Sequence, residues 1–440
     1  MNTTLTPKSR DVLGLNRYQW LVLFAAWLGW GFDVFDGFLF NYVAPNCVTA
    51  LVHPHNKGAI IVWTGYATAL LLFGWAVGGI IFGKIGDKIG RKKTLLLTMI
   101  VYGFGTAACA LAPNIWALLV FRFISSLGIG GEWAAGASIV AEVVPEKRRV
   151  EAGALLYTSA PFGLFLAMGV NYLISQVWMH QHSDTSWRFV FAFGLLPVIV
   201  ALTLRAYVKE PERWVNTEAK PRLSELFAPE TLRLTVSGLI PAVIVLLTWW
   251  TCNAFIQVIA SQLANQFAHS LHFSPGETLS LQERWKTIAS LYFNVGGLIG
   301  TLLTIPAAKC LGRKPMFLIY FVLSSASLFV AFNHFWQPMI QLALFFPIGL
   351  TVFGVFGSFT FYLPELFPTR LRCTGSGFCY NVGRLVTVAG PLLIARVSSG
   401  VVGSPLPRIF HVLFLLGCVP LIGVVLMPLI RETKGRVLAD

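Results

Sequence analysis

The sequence predicts an all-α membrane protein of twelve transmembrane helices, built as two six-helix halves. Three observations carry that prediction. Of the 440 residues, 56% are hydrophobic and only 12% charged, outside the range of soluble globular domains. Twelve apolar stretches approach or exceed the roughly 20 helical residues that a hydrocarbon core requires. Short polar signatures recur in the second half of the chain at offsets of 222 or 223 residues.

The polar start MNTTLTPKSRDVL has no cleavable signal pattern and leads directly into the first apolar stretch, 18–45. The next five stretches are 58–82, 94–112, 115–143, 150–177 and 187–207. A polar segment rich in Glu, Lys, Arg and Pro, 208–232, follows, and Ser224-Glu-Leu-Phe and Pro229-Glu-Thr-Leu read as helix starts on a surface-lying linker. The second half supplies 233–267, 284–308, 315–333, 336–364, 373–398 and 405–430. The domains are therefore 1–207, the linker 208–232, and 233–440.

Charge distribution sets the topology. With the N-terminus inside, 25 of the 33 Lys and Arg fall on the cytoplasmic side. Six lie in or beside outer loops, and Arg122 and Arg384 lie within spans. This positive-inside bias predicts an inner or plasma membrane protein with both termini cytoplasmic, and it accounts for the +14 net charge without nucleic acid. The seven cysteines form no CxxC pair, so neither a disulfide framework nor a metal site is expected, and no cofactor. No HExxH or nucleophile motif marks an enzyme. Seven of the eight histidines fall in outer loops, where solvated side chains are the expectation.

The repeat has three members in register. Gly90-Arg91-Lys92 returns as Gly312-Arg313-Lys314, Glu142-Val-Val-Pro145 as Glu365-Leu-Phe-Pro368, and Lys209-Glu210 more loosely as Arg431-Glu432. Each half starts and ends on the same side, so the repeat is parallel. Such halves suit a substrate site between them near the midplane, reached alternately from each side.

The loop Gly83-Lys-Ile-Gly86-Asp87-Lys-Ile-Gly90-Arg91-Lys92-Lys93 resembles the signature between spans two and three of the major facilitator superfamily. Lys209-Glu-Pro-Glu-Arg-Trp214 and Arg431-Glu-Thr-Lys-Gly435 resemble the ends of spans six and twelve in that superfamily. Pro364-Glu-Leu-Phe-Pro-Thr-Arg-Leu-Arg372 with Asn381-Val-Gly-Arg384 resembles its span ten to eleven region. A finer likeness, carried by Trp27-Leu-Gly-Trp-Gly-Phe-Asp33-Val-Phe-Asp36, Gly-Gly-Glu132-Trp133 and Trp187-Arg-Phe, is to the sialate:proton symporter group of sialic acid and lactate permeases. The D-x-x-D element is shared with aromatic-acid:proton symporters. The resemblance implies an inner gate drawing on Asp87, Gly83, Gly90, Arg91, Glu142, Arg149, Glu365 and Arg372. Asp87 is placed to face a neighbouring helix N-terminus or a basic residue. The second loop copy, Ala307-Ala-Lys309-Cys-Leu-Gly312-Arg313, lacks the aspartate and one glycine, which weakens its claim to the same role.

Ionised side chains near the bilayer centre cost about 2.5–3.5 kcal/mol on insertion scales and normally face a partner or a wet cavity. Arg122 lies nine residues from Pro113 and Asp36 nine from Pro45, so both sit roughly 13 Å below the outer surface at 1.5 Å per residue. Equal depth permits contact if spans one and four are neighbours, as the resemblance implies. Asp33 is one turn deeper on nearly the same face. Asp36, Asp33, Arg122 and Glu132 are thus the proton-coupling candidates, Glu132 being equally readable as a structural partner.

Arg384 has no acidic residue at a comparable place in its half, which suits an anchor for a substrate carboxylate. Asn381, Asn171, Gln257 and Asn253 read equally as ligand contacts or as helix-to-helix glue, and Trp249 as a stacking platform or an interface marker. The expected protein is a monomeric, lipid-embedded symporter of protons and a small organic anion, a monocarboxylate or sialate-like acid. An aromatic-acid symporter or an exporter of organic ions is the alternative.

Overall fold

The computed structural model describes residues 13–52, 57–179, 183–215, 222–388 and 406–436, and the described residues contain helices and turns with no strand. Ten helices among them are long and apolar enough to cross a membrane. These are spans one (Arg17–Val52), two (Lys57–Ile89), three (Arg91–Ala110), four (Ile115–Val143) and five (Glu146–Ser175), then seven (Pro229–Ser270), eight (Pro275–Cys310), nine (Arg313–Phe332), ten (Pro338–Leu366) and twelve (Leu406–Val425). Two further spans complete twelve. Span six is divided at Gly194 into Ser183–Phe193 and Leu195–Ala206, and span eleven is described over Arg372–Thr387, with 389–405 outside the described residues.

Local chemistry explains several boundaries. Asn114 accepts from Ala117 N at 2.9 Å and caps span four. Ser274 and Glu277 form a capping box at the start of span eight. Span seven begins at Pro229, so the C-terminal end of the expected linker belongs to the membrane helix instead. Proline suits this first position because its absent N–H would be unpaired there in any residue. Of the linker, a tight turn at Leu223–Phe227 and a short helix at Glu212–Val215 are described; 216–221 are outside the described residues.

Span two packs most extensively against span four, and span three against span four. The main seam between the first six spans and the last six joins span two to span eleven, and span five to span eight makes the counterpart. Spans two and eight are repeat mates, as are spans five and eleven, so exchanging each member for its mate turns one pair into the other, as a parallel repeat requires. Span ten departs from a regular helix, widening at Gly349–Phe353 and tightening at Gly354–Ser358 before Phe359–Leu366. Irregular turns of this kind often mark functional positions, and Phe353 and Phe356 both join an aromatic layer between the two sets of spans.

The repeat is repeated in geometry at the starts of spans three and nine. Gly90 has φ 110° and Gly312 φ 108°, a backbone open to glycine. Behind each, a carboxylate sits on the helix N-terminus. Glu210 accepts from Lys92 N and Lys93 N, both at 3.2 Å, and Glu432 from Arg313 N at 2.9 Å and Lys314 N at 3.0 Å. Burial pushes the Glu432 carboxyl up, but backbone N–H groups of Arg313, Lys434, Lys314 and Thr433 outweigh it and hold the group below the usual range. A Cβ at either glycine would meet the capping carboxylate. Gly90→Ala and Gly312→Ala are each expected to cost about 1–3 kcal/mol, read as a lowered thermal midpoint in detergent. Gly169→Ala, a helical position with open space around it, should show no loss.

Candidate functional site

The first group of candidate residues lies inside spans one to four. Asp36 is buried, and its Oδ2 is 3.6 Å from Arg122 Nη1. Thr106 Oγ1 donates to Asp36 Oδ1 at 2.7 Å and Ser125 Oγ donates to Oδ2 at 2.9 Å. Arg122 also donates to the carbonyls of Asp36 and Gly37 at 3.3 and 3.4 Å, while Phe40 and Phe191 flank its guanidinium. The carboxylate therefore faces spans three and four rather than the seam between the two sets of spans. Asp33, one turn away, is fully buried on the same helix. Glu132 is buried near the middle of span four and accepts from Thr98 Oγ1 at 3.0 Å.

The second group lies on the seam. Arg384 is buried in span eleven and crosses to span two, where its guanidinium carbon stands 4.1 Å from the Trp75 ring centroid and 4.9 Å from that of Tyr380. Its Nη1 donates to Asn381 Oδ1 at 2.6 Å, and Asn381 Nδ2 donates to Gly377 O at 2.8 Å. No carboxylate among the described residues is within ion-pair distance of Arg384, and its buried Nε has no hydrogen-bond partner among them. Gly79 makes this approach possible, because a Cβ there would overlap the Asn381 amide. Around the cation, Trp133 of span four stacks on Tyr380 at 4.1 Å and 14°. Tyr157 of span five packs against Phe356 at 5.6 Å, as does Trp249 of span seven at 5.7 Å.

A third group ties the basic ends of the spans together. Glu142 Oε1 accepts from Arg91 Nη2 at 3.0 Å and from Arg372 Nη1 at 2.8 Å, all three side chains being fully buried. The repeat-related set is Glu365, with Arg313 at 2.7 Å and Arg149 at 3.9 Å. Asp87 pairs with Arg91 at 2.9 Å and accepts from Cys373 N at 3.2 Å and Thr374 N at 2.6 Å, so its carboxylate rests on the N-terminus of span eleven. Gly83 lets the Cys373 carbonyl approach span two closely. Lys309, which occupies the place of Asp87 in the repeat, pairs with Glu151 at 2.6 Å, and Glu151 occupies the place of Thr374. The second copy lost its aspartate yet still bridges the seam, with the acid now on the other side.

Three candidates stand apart from Arg384. Gln257 is exposed and its amide donates to Ser290 of span eight at 2.5 Å, a helix-to-helix bond. Asn171, at the end of a helical segment in span five, accepts from Ser175 Oγ at 3.3 Å. Asn253 is half-buried one turn beyond Trp249. Of the outer-loop histidines, His269, His272 and His334 are described, and His53, His55, His180 and His182 lie outside the described residues. No group of metal-ligating side chains occurs among the described residues. Sequence reasoning missed Trp75, Tyr380, Thr106, Ser125 and the Lys309–Glu151 pair. Tyr380 had a signal, since its spacing of four from Arg384 places both on one helix face. Thr106 and Ser125 had none.

A twelve-span bundle of two parallel-related sets, closed by ion pairs at one end and carrying on its seam a buried cation with no acidic partner among the described residues, is the build of a membrane transporter. The family model described as Major Facilitator Superfamily matches residues 20–391, and the chain belongs to that superfamily. The sialic acid transporter NanX of Escherichia coli K12 is 28% identical over 390 residues, covering 87% of this chain and 88% of that protein. The gentisate transporter of Corynebacterium glutamicum is 24% identical over 402 residues, covering 89% and 84%. Among solved structures, the proton:xylose symporter XylE bound to 6-bromo-6-deoxy-D-glucose has a TM-score of 0.77 at 19% identity, with 96% and 98% covered. This last likeness speaks to the fold alone.

The two kinds of bridge at the basic end should differ in strength. Glu142→Gln leaves buried guanidinium groups short of a counter-charge and is expected to cost about 3 kcal/mol or more. Glu151→Gln breaks bridges to Lys309 and Arg148, both partly exposed, and should cost about 1 kcal/mol or less. Thermal unfolding of both variants in detergent measures the difference.

Proposed function

We propose that the protein is a proton-coupled symporter that carries a small organic anion with one carboxylate across the cell inner membrane by alternating access. The observation that carries this reading is Arg384, a buried guanidinium on the seam without an acidic partner among the described residues. A substrate carboxylate supplies the missing charge and accepts the free N–H edge. The names of the relatives, a sialic acid and a gentisate transporter, point to the same class of small organic acid.

Coupling is assigned to Asp36, with Asp33 beside it. Protonation of Asp36 removes its attraction for Arg122, and deprotonation restores it. Span one carries this change to the seam through Phe38, which stacks on Trp250 of span seven at 6.1 Å, while Trp250 meets edge-on, at 6.5 Å, the Trp75 ring that covers Arg384. Residues 1–207 and 233–440 then rock as two bodies around the linker, with both termini and the basic end on the cytoplasmic side. The Glu142 and Glu365 clusters, with Asp87 on span eleven, are the inner gate that opens for release. We take the transporting unit to be a single chain.

Reconstituted protein tests the two assignments separately. Asp36→Asn should keep anion exchange across the liposome membrane while proton-driven accumulation falls at least about tenfold. Full accumulation in this variant would sink the coupling role. Arg384→Ala and Arg384→Lys should each lose anion binding at least about tenfold, because lysine lacks the planar fork. Unchanged affinity in a variant that still unfolds cooperatively would remove the anchor.

A further inference from the structure

We infer that the anion is a flat aromatic or conjugated monocarboxylate, one that slides edge-on to Arg384 between rings, rather than a polyhydroxylated sugar acid. This rests on Arg384 as the anchor proposed above. The geometry of the cation restricts how an anion meets it. Trp75 and Tyr380 cover the guanidinium at 4.1 and 4.9 Å, and Nη1 is committed to Asn381. What remains is the edge bearing Nε, which has no partner among the described residues. A carboxylate bound there lies in the guanidinium plane, and a substituent coplanar with the carboxylate continues between the aromatic surfaces without a bend.

The surroundings select the body of the ligand. Beyond Arg384 the ring network continues through Trp133 on Tyr380 and through Tyr157 and Trp249 around Phe356. The buried indole N–H groups of Trp75, Trp133 and Trp249 have no acceptor among the described residues. This region thus offers ring faces and indole donors, while the Tyr157 and Tyr380 hydroxyls are engaged with each other and that of Tyr380 with Arg384. A sugar acid brings many hydroxyl groups that need acceptors as well as donors, and each one left unsatisfied costs free energy. An aromatic acid needs only the carboxylate contact, stacks on the rings, and presents its π-face or a ring acceptor to the indole N–H groups.

The pair benzoate and cyclohexanecarboxylate isolates flatness, since both are six-membered monocarboxylates. Titration calorimetry of the purified full chain in detergent, with lactate and N-acetylneuraminate added to the panel, should show benzoate binding about tenfold tighter than cyclohexanecarboxylate. It should also bind more tightly than the other two acids. Trp133→Leu should reduce the benzoate to cyclohexanecarboxylate ratio to about twofold or less while its thermal unfolding stays cooperative; Tyr157→Phe, which keeps the ring, should preserve it. Equal affinity for the two six-membered acids, or tighter binding of N-acetylneuraminate or lactate lost on Arg384→Ala, overturns the inference and leaves the anchor standing. A benzoate preference that survives Arg384→Ala overturns the anchor, and with it the edge-on geometry.

Discussion

Two buried carboxylates, Glu142 and Glu365, hold the arrangement on which the rest depends. Each takes one arginine from its own set of spans, Arg91 or Arg313, and one from the other set, Arg372 or Arg149. The backbone contacts repeat as well. Arg91 and Arg313 both donate to the carbonyl five residues before them, and Arg149 and Arg372 to the carbonyl eight residues before. A charge buried this deeply is tolerated only with its partners in place, so the clusters fix which helix ends meet. Span eleven is thereby set against span two, and Arg384 reaches the seam.

The symmetry is broken at one pair of related positions. Asp87 rests on the first N–H groups of span eleven, whereas its counterpart Lys309 reaches Glu151 from a partly exposed position. One side of the seam is tied by a buried carboxylate on a helix end and the other by a pair in which the acid is buried but the lysine is exposed to solvent. In the proposed cycle the second tie releases at lower cost. The stronger one sits on the helix that carries the anchor, so its release is best placed to be linked to substrate.

Much of this was legible in the sequence, and the reasons are physical. Apolar length and basic-loop bias dictate spans because a bilayer leaves few other solutions. Equal depth, which a helix converts directly from residue counts, permitted the Asp36–Arg122 contact once the family resemblance made spans one and four neighbours. Gly90 and Gly312 announced their turns because only glycine takes that backbone freely. Thr106 and Ser125 were not legible, because a small hydroxyl in an apolar helix looks the same whether it bonds its own backbone or a buried acid. Trp75 was hidden for a related reason: an indole facing lipid and one covering a cation are identical in sequence. Lys309 looked like a lost motif because sign reversal on both sides of a contact is invisible until the partner, Glu151, is known.

The proposed proton site and the proposed anion site are not in contact, and this separation shapes how they could be coupled. Asp36 is enclosed by Thr106, Ser125 and Arg122 within spans one, three and four, while Arg384 lies on the seam. Direct charge exchange between them is therefore not the link. The link proposed is mechanical: Phe38 of span one stacks on Trp250, Trp250 meets Trp75 edge-on, and Trp75 covers Arg384. Packed interiors pass small displacements on because they have little free volume to absorb them. In the proposed cycle, a change in how tightly Asp36 holds Arg122 shifts span one, and the shift arrives at the ring over Arg384. Coupling of this kind needs the two ligands to favour the same arrangement of one shared element, and span one with Trp75 is the element that touches both.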